Sequence, residues 1–307
     1  MIRIESTQPL PGHLRGAIIA LGNFDGFHLG HQAVVGEAIR WAREEGRPAI
    51  VATFDPHPMR LFVPDAPPFR LTTLDQRLDL FGAAGADAML VIHFDTAVAG
   101  MTAPEWIEQT LAHHLGAAGV VTGEDFTFGK CRSGSPALLA ELGGPFGIRA
   151  RAVGAVNDAD GPVSSSRIRA ALHEGDCAGA TRLLTRPFTI RGVVQHGDKL
   201  GRTIGFPTAN LPLGQYLRPR YGIYAVKGRL PDGQVLKGAA NLGIRPTFDP
   251  PKELLEPYFF DFSGDLYAQQ INVEFHAYIR PETKFDGVEA LVAQMHRDCD
   301  EARALLA

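Results

Sequence analysis

Two histidines stand near the start of a predicted helix, and their spacing is suited to holding phosphate. The segment that contains them reads Gly22-Asn23-Phe24-Asp25-Gly26-Phe27-His28-Leu29-Gly30-His31. Glycines let a backbone approach a ligand, and a helix start presents free N–H groups and a positive dipole end to an anion. His28 and His31 can add hydrogen bonds to phosphate oxygens, which stabilise the charge that develops in nucleotidyl transfer. The alternative is that both histidines only cap the helix.

A second candidate phosphate-binding segment is Ser164-Ser165-Ser166-Arg167-Ile168-Arg169, which leads into a predicted helix over 168–174. Serine hydroxyls at a helix start either cap free N–H groups or bind phosphate oxygens. Arg169 or Arg167 can add a charge-assisted, two-pronged contact to a phosphate. Taken alone, the segment favours the capping role.

A third candidate lies between residues 192 and 210. Its flexible and positively charged positions, which suit a loop over phosphates, are Gly197, Lys199, Gly201 and Arg202. The segment Gly205-Phe206-Pro207-Thr208-Ala209-Asn210 follows. Thr208 and Asn210 offer hard oxygen ligands for a Mg²⁺ ion shared with ATP. A glycine-rich hairpin followed by a proline turn explains the same residues without chemistry.

Phosphoryl transfer also needs a base that orients the attacking hydroxyl group. Glu256 is the candidate, at the start of the apolar run 258–262. A glutamate at the edge of a strand is more often a solvated surface residue, so spacing alone does not assign it a role.

The first 184 residues alternate between strand-like and helix-like segments. Short apolar runs predict strands at 17–21, 49–54, 88–94, 119–122 and 148–153. Apolar residues at three- and four-residue steps predict helices at 31–45, 74–84 and 104–115. Such alternation favours a parallel sheet with helices on both faces, in which ligands bind at the carboxyl ends of the strands. The histidine segment follows the first of these strands.

The second half of the chain, residues 185–307, has a different pattern. Short β-rich runs at 188–195, 221–230, 235–242, 258–262 and 271–279 are separated by glycine and proline. This pattern predicts a small antiparallel barrel. Apolar residues at helical spacing from 288 to 305 predict an amphipathic closing helix. We therefore expect an α/β domain over 1–184 and a barrel domain over 185–307.

Composition excludes several classes of protein. The formal net charge of −4 provides no general attraction to nucleic acid or anionic membrane. No apolar run reaches the ~20 residues of a membrane span. The N-terminus shows no basic-then-apolar leader, and three widely spaced cysteines predict reduced thiols, so we expect a cytoplasmic protein.

The first half resembles the nucleotidylyltransferase superfamily, whose signatures are a His-x-Gly-His loop and a later Ser-Ser-Thr-x-x-Arg segment. The resemblance is closest to the FMN adenylyltransferase module of prokaryotic bifunctional riboflavin kinase/FAD synthetases. Residues 53–58 (Thr-Phe-Asp-Pro-His-Pro) and 123–129 (Gly-Glu-Asp-Phe-Thr-Phe-Gly) are similar to further motifs of that module. Ser166 stands where the superfamily pattern has threonine, and it keeps the hydroxyl group.

This resemblance implies specific roles for residues of the first half. His28 and His31 are expected to hold ATP phosphates, and Ser165 and Arg169 to bind the triphosphate. Asp125 lies where the family contacts nucleotide. The flavin pocket is expected to include three aromatic residues, Phe54, Phe126 and Phe128.

The second half resembles riboflavin kinase. The motifs that carry the resemblance are Gly-Phe-Pro-Thr-Ala-Asn at 205–210, Asn-Leu-Gly-Ile-Arg-Pro-Thr-Phe at 241–248 and Arg-Pro-Glu-Thr-Lys-Phe at 280–285. The resemblance implies that Thr208 and Asn210 coordinate Mg²⁺, that Glu256 is the catalytic base and that Arg280 lies near the flavin. The family often has Glu-x-His at the base position, whereas this chain has Glu256-Pro257-Tyr258.

Together the two halves predict an enzyme that phosphorylates riboflavin with MgATP to FMN and then adenylylates FMN with ATP to FAD. The expected partners are these small molecules, with no nucleic acid and no membrane; nothing in the sequence indicates an oligomer. One alternative is a single-activity enzyme with one vestigial half. Another is a flavin- and nucleotide-binding sensor without turnover.

Overall fold

A computed structural model describes residues 1–196, 201, 204–245 and 252–307 of the chain. Two compact units share these residues. The first unit comprises Met1–Pro67 and Thr73–Ser164, and the second comprises Pro68–Thr72 and Ser165–Ala307. The segment Pro68–Thr72 is part of the second unit because its Arg70 forms a parallel β-bridge with Tyr216.

A six-stranded parallel sheet forms the centre of the first unit, with strand order β1-β4-β3-β2-β5-β6. All five neighbouring pairs run parallel. Its strands are β1 (Ile2–Glu5), β2 (Ile18–Leu21), β3 (Ala49–Asp55), β4 (Ala88–His93), β5 (Gly119–Gly123) and β6 (Arg149–Val153). From β2, successive strands are added on one side as β3 and β4 and on the other side as β5 and β6, with β1 beyond β4. The strand order therefore reverses between β2 and β5.

Helices cover both faces of this sheet. They are α1 (Leu29–Glu44), α2 (Pro58–Phe62), α3 (Leu74–Ala84), α4 (Thr96–Gly100), α5 (Ala103–Glu105), which continues as π-helical turns over Trp106–His114, and α6 (Pro136–Gly143). One apolar cluster joins alternate strand residues to α1 and α3, and the other joins the remaining strand residues to the π-helical segment and α6. A short hairpin, β7 (Asn157–Asp158) and β8 (Gly161–Pro162), completes the unit. Strands buried on both faces explain the continuous apolar runs in the sequence.

The second unit contains an antiparallel sheet of order β10-β13-β12-β11-β14-β9. Two helices precede it, α7 (Ser165–Glu174) and α8 (Cys177–Leu184). Its strands are β9 (Phe188–Val193), β10 (Leu211–Pro212), β11 (Gly222–Arg229), β12 (Val235–Arg245), β13 (Lys252–Phe259) and β14 (Gln270–Arg280). A bridge between Gln195 and Asn210 links the chain at the ends of the two edge strands, which makes the sheet a nearly closed barrel. Helix α9 (Val288–Leu305) packs on it.

The predicted fold is confirmed in both halves: a parallel sheet with helices, then an antiparallel barrel and a closing helix. One strand was placed wrongly. The sequence pattern predicts it over 258–262, but β13 covers Lys252–Phe259. Pro257 reads as a strand breaker, yet it pairs with Ala240 inside the ladder and accepts a hydrogen bond from the N–H of Ala209 at 3.0 Å. Glu256 therefore lies within a strand and not at its edge.

Candidate active sites

The loop between β2 and α1 lies at the carboxyl edge of the first sheet, where the strand order reverses. In open parallel sheets this crevice is where ligands bind. The backbone of the loop turns sharply, with positive φ at Phe24 (49°), Gly26 (86°) and Phe27 (45°). Asp25, which lies between them, is 2% exposed. The predicted histidine segment therefore occupies the position in the sheet that favours a nucleotide.

The two histidines are in direct contact. Their rings stack with centroids 3.6 Å apart and planes inclined by 20°. His28 is the N-cap of α1, and its Nδ1 accepts a hydrogen bond from the N–H of His31 at 3.4 Å. A neutral imidazole that accepts at Nδ1 carries its proton at Nε2. The capping role and the phosphate-binding role are therefore compatible in one side chain.

Two glycines of the loop leave room for neighbouring rings. A Cβ atom added to Gly30 would lie 3.2 Å from the His28 ring, and one added to Gly22 would lie 3.0 Å from the ring of Phe24. Both distances are shorter than ordinary van der Waals contact, so a side chain at either position would displace the ring beside it. Asn23 connects the loop to β3: its carbonyl oxygen accepts a hydrogen bond from the Thr53 hydroxyl at 2.8 Å.

The three aromatic residues predicted for the flavin pocket belong to one apolar cluster on the sheet. Phe126 and Phe128 stack with centroids 6.0 Å apart, and Phe54 meets Phe94 edge to face at 5.7 Å. Asp125, just before Phe126, is exposed after the end of β5.

Other aromatic residues in or beside this cluster were missed by sequence reasoning. Trp106 lies 5.2 Å from Phe128, and Phe62 lies 6.2 Å from Phe94 while remaining 68% exposed. A large exposed apolar residue beside a partly open aromatic cluster is the one signal that points to Phe62.

The serine–arginine segment spans the boundary between the units. Ser164 is the last residue of the first unit, while α7 begins at Ser165, with Ser166 next, in the second. The Arg169 Nε donates a hydrogen bond to the carbonyl oxygen of Phe69 at 2.9 Å, within the second unit. The predicted contact of these residues with a triphosphate remains a prediction.

A pocket lies at one end of the barrel in the second unit. Thr208 is among its lining residues, whereas Asn210, which is 9% exposed, is not. The sequence analysis assigned no role to most of the lining residues, which include Phe262, Leu266 and Tyr267. Gly201 approaches this segment, because a Cβ atom added there would overlap the Phe206 carbonyl oxygen and lie 3.5 Å from the Thr208 hydroxyl. The other predicted loop residues, Gly197, Lys199 and Arg202, lie outside the described residues.

Glu256 is half-buried in β13 and pairs in register with Asn241 of β12. Residues two apart on a strand share a face, so Glu256 faces the same side as Tyr258. The Tyr258 ring meets that of Phe206 at 5.1 Å, and Phe206 meets His296 of α9 at 5.0 Å. Glu256 therefore lies on the face of the sheet that α9 covers.

Arg280, predicted to lie near the flavin, forms an ion pair with α9. Its Nε and Nη2 donate to the two carboxylate oxygens of Asp298 at 2.7 and 2.6 Å. Its Nη1 donates to the Pro281 carbonyl oxygen at 2.9 Å. The guanidinium group thus holds β14 to the helix; its proposed contact with flavin remains a prediction.

Comparisons with known proteins cover nearly the whole chain. The family model for FAD synthetase matches residues 10–167, and the model for riboflavin kinase matches residues 184–306. The bifunctional riboflavin kinase/FMN adenylyltransferase of Haemophilus influenzae is 40% identical over 296 residues, which cover 95% of this chain and 94% of the relative. Its counterpart in Bacillus subtilis is 39% identical over 292 residues, covering 93% and 91%.

A solved structure agrees along the same length. It is described as a macrolide-efflux protein from Streptococcus pneumoniae and aligns with a TM-score of 0.88 at 32% identity, over 99% of both chains. Within the described part of this chain, no helix combines the length and apolar character that crossing a membrane requires. On the two family models and the relatives at 39–40% identity, the chain belongs to the family of bifunctional riboflavin kinase/FMN adenylyltransferases.

Proposed function

We propose that the second unit phosphorylates riboflavin with ATP to give FMN and ADP, and that the first unit adenylylates FMN with ATP to give FAD and pyrophosphate. The observation that carries the adenylyl-transfer assignment is the stacked pair His28 and His31 in the first unit. The pair lies at the start of α1, where the strand order of the sheet reverses. Family membership supports both reactions.

In the adenylyl transfer, an FMN phosphate oxygen attacks the α-phosphorus of ATP and pyrophosphate leaves. His28 donates from Nε2 to a phosphate oxygen while its Nδ1 caps the helix, so the ring is already oriented before ATP binds. The N-terminus of α1 adds its dipole to the same site. The family resemblance implies that Ser165 and Arg169 bind the triphosphate, and we keep this as a proposal. No residue becomes covalently modified.

The flavin ring of FMN is proposed to bind against the aromatic cluster of the first unit. Phe126 and Phe128 are stacked with their planes 20° apart, so they offer adjacent parallel faces. Phe54 and Phe94 form a second wall, and the exposed ring of Phe62 extends it toward solvent. Aromatic rings of this kind supply a large apolar contact area for a planar ligand.

In the kinase reaction, the Glu256 carboxylate accepts the proton of the riboflavin 5′-hydroxyl as that oxygen attacks the γ-phosphorus. The barrel pocket is proposed to take the nucleoside part of ATP, with Phe262, Leu266 and Tyr267 as its apolar side. The phosphates of ATP are proposed to be bound by Gly197, Lys199, Gly201 and Arg202.

Thr208 and Asn210 are proposed to hold Mg²⁺ together with ATP. A hydroxyl and an amide carbonyl are hard oxygen donors, and neither adds a negative charge, which fits an ion already bound by phosphates. When bound, the ion neutralises charge on the β- and γ-phosphates. Thr208 lines the pocket, which supports its proposed role as one of the Mg²⁺ ligands.

We propose that the enzyme works in the cytoplasm, because its three cysteines are widely spaced in the sequence, as is typical of reduced thiols.

Two single substitutions test the assignment of one reaction to each unit. His28→Ala should abolish FAD formation from FMN and leave FMN formation from riboflavin largely intact. Glu256→Ala should abolish FMN formation and leave FAD formation from supplied FMN intact. The measurement is chromatography of the flavins after incubation with MgATP. If either variant loses both activities while its circular dichroism spectrum matches that of the wild type, the two-site proposal is wrong.

A further inference from the structure

We propose that Arg77 is a positioning residue for adenylyl transfer: it holds the loop between β2 and α1 in the conformation that receives ATP. This inference rests on the proposed function of the first unit. Arg77 lies on α3, an amphipathic helix whose polar residues would be expected to face water. Instead its side chain is buried, with the residue only 2% exposed.

Two hydrogen bonds of Arg77 converge on one backbone carbonyl of the loop. Its Nη1 donates to the carbonyl oxygen of Asn23 at 3.1 Å and to the hydroxyl of Thr53 at 2.8 Å. The Thr53 hydroxyl in turn donates to the same carbonyl oxygen at 2.8 Å, and Thr53 is fully buried. The three groups therefore form a closed triangle that fixes the direction of the Asn23 carbonyl.

A fixed carbonyl also fixes the next amide group. The peptide bond is planar and trans, so the N–H of Phe24 points opposite to the carbonyl of Asn23. Arg77 thus directs a loop N–H away from itself without touching the ligand.

The same helix holds the loop at a second point. Phe81 lies four residues after Arg77, on the same face of α3. Its ring meets those of Phe24 and Phe27 edge to face, at 5.9 and 5.1 Å. Phe24 and Phe27 both have positive φ, which is unfavourable for residues other than glycine. Tertiary contacts must therefore maintain this backbone conformation. Phe24 also meets the ring of His31 at 5.3 Å, which connects α3 to the histidine pair.

The test compares three variants in the same chain, with the kinase reaction as an internal measure of folding. Arg77→Met removes the charge and the donors, and Arg77→Lys keeps the charge and one donor group. Leu80→Ala weakens the packing of α3 on its apolar cluster but leaves the side chains of Arg77 and Thr53 unchanged. Steady-state kinetics with FMN supplied give kcat and the KM for ATP of the adenylyl transfer. Riboflavin phosphorylation is measured on the same samples.

We expect Arg77→Met to lower kcat/KM for ATP in adenylyl transfer by about tenfold or more, because a hydrogen bond to a charged group is worth about that factor. Arg77→Lys should recover part of this loss, and the kinase kcat/KM should change by less than about twofold in both. Leu80→Ala should lower the Tm of the first unit but leave the KM for ATP unchanged.

Several results would overturn the inference. One is a wild-type kcat/KM in Arg77→Met. Another is the loss of both activities in that variant in parallel with Tm, as a general packing defect would cause. A rise in the KM for ATP in Leu80→Ala equal to that in Arg77→Met would do the same. Should Arg77→Met not fold, Thr53→Val replaces it, since it removes only the hydroxyl of the triangle; wild-type kinetics in that variant would refute the inference. If the wild-type chain forms no FAD, the proposed function itself fails, and this inference with it.

Discussion

A buried ion pair between Arg280 and Asp298 holds the closing helix α9 to the barrel. Removing this ion pair tests quantitatively how much it stabilises the second unit. The Asp298 side chain is 6% exposed and that of Arg280 is 20% exposed. Asp298 also accepts a hydrogen bond from the Gln294 amide at 2.8 Å. Asp298→Asn keeps the shape of the side chain and an acceptor for Gln294, but it leaves the guanidinium of Arg280 without its countercharge.

The expected loss follows from this burial. Removing one partner of a fully buried pair costs about 3–5 kcal/mol, because the remaining charge is poorly hydrated. Arg280 keeps partial access to water, so we expect the free energy of unfolding of the second unit to fall by about 2–3 kcal/mol. For a unit of roughly 150 residues, this corresponds to a decrease in Tm of about 4–12 °C.

The distribution of tryptophan allows the two units to be followed separately. The chain has 2 tryptophans, Trp41 and Trp106, and both lie in the first unit. Residual kinase activity after heating therefore follows the second unit, while tryptophan fluorescence follows the first. Asp298→Asn should shift only the kinase transition, and it should raise the KM for riboflavin if Arg280 lies beside the flavin.

A matched control exists on the same helix. Arg303 of α9 pairs with Asp261 at 2.9 Å, but the Asp261 side chain is 80% exposed. Exposed ion pairs contribute little to stability, so Asp261→Asn should leave the kinase transition unchanged within error. Equal shifts in Asp298→Asn and Asp261→Asn, or no shift in Asp298→Asn, would refute the argument that burial makes the inner pair important.

Two further predictions concern pH and thiol chemistry. Burial raises the pKa of the Cys177 thiol to about 12 and that of Cys299 to about 11, whereas Cys131 is exposed. The thiolate is the reactive form, so an aromatic disulfide reagent at pH 8 should rapidly label one thiol in the native chain and three after unfolding. Rapid labelling of more than one thiol in the native chain would contradict this prediction. Hydrogen bonding from Arg218 lowers the pKa of Glu253 below its ordinary 4.5, so its stabilising contribution is present above pH 4.5 and is lost as the pH falls through the lowered pKa. Glu253→Gln should therefore make stability less dependent on pH below 4.5, and an unchanged acid profile would show that this pair contributes nothing.

Local patterns in the sequence were sufficient for most of the architecture. Helix α3 was predicted over 74–84 and is found at Leu74–Ala84, because its apolar period and its terminal residues are both local signals. The structure adds a capping box between Thr73 and Gln76 at its start and Gly85 in a left-handed conformation at its end. The strand β13 was misplaced because Pro257 is a local breaker signal, whereas its place in the ladder depends on pairing with β12.

The candidate sites divide in the same way. The sequence alone identified the histidine pair, since both residues lie within four positions and the glycines around them are recognisable. It assigned no role to Arg77, which is 54 residues from Asn23 and reads as an ordinary surface residue of an amphipathic helix. Nor did it indicate that Arg280 pairs with Asp298.

What the sequence determined by itself is therefore the fold class, many of the longer strands and helices and the short motifs that follow particular strands, whereas β1, β10, α6 and α8 were not predicted. These features depend on periodicity and on turn and capping residues, which act over a few positions. Only the tertiary structure decided the partners of buried charges such as Arg77 and Arg280. A charge leaves water only where the folded chain supplies partners for it, and residues distant in sequence meet only after the sheet and barrel have formed.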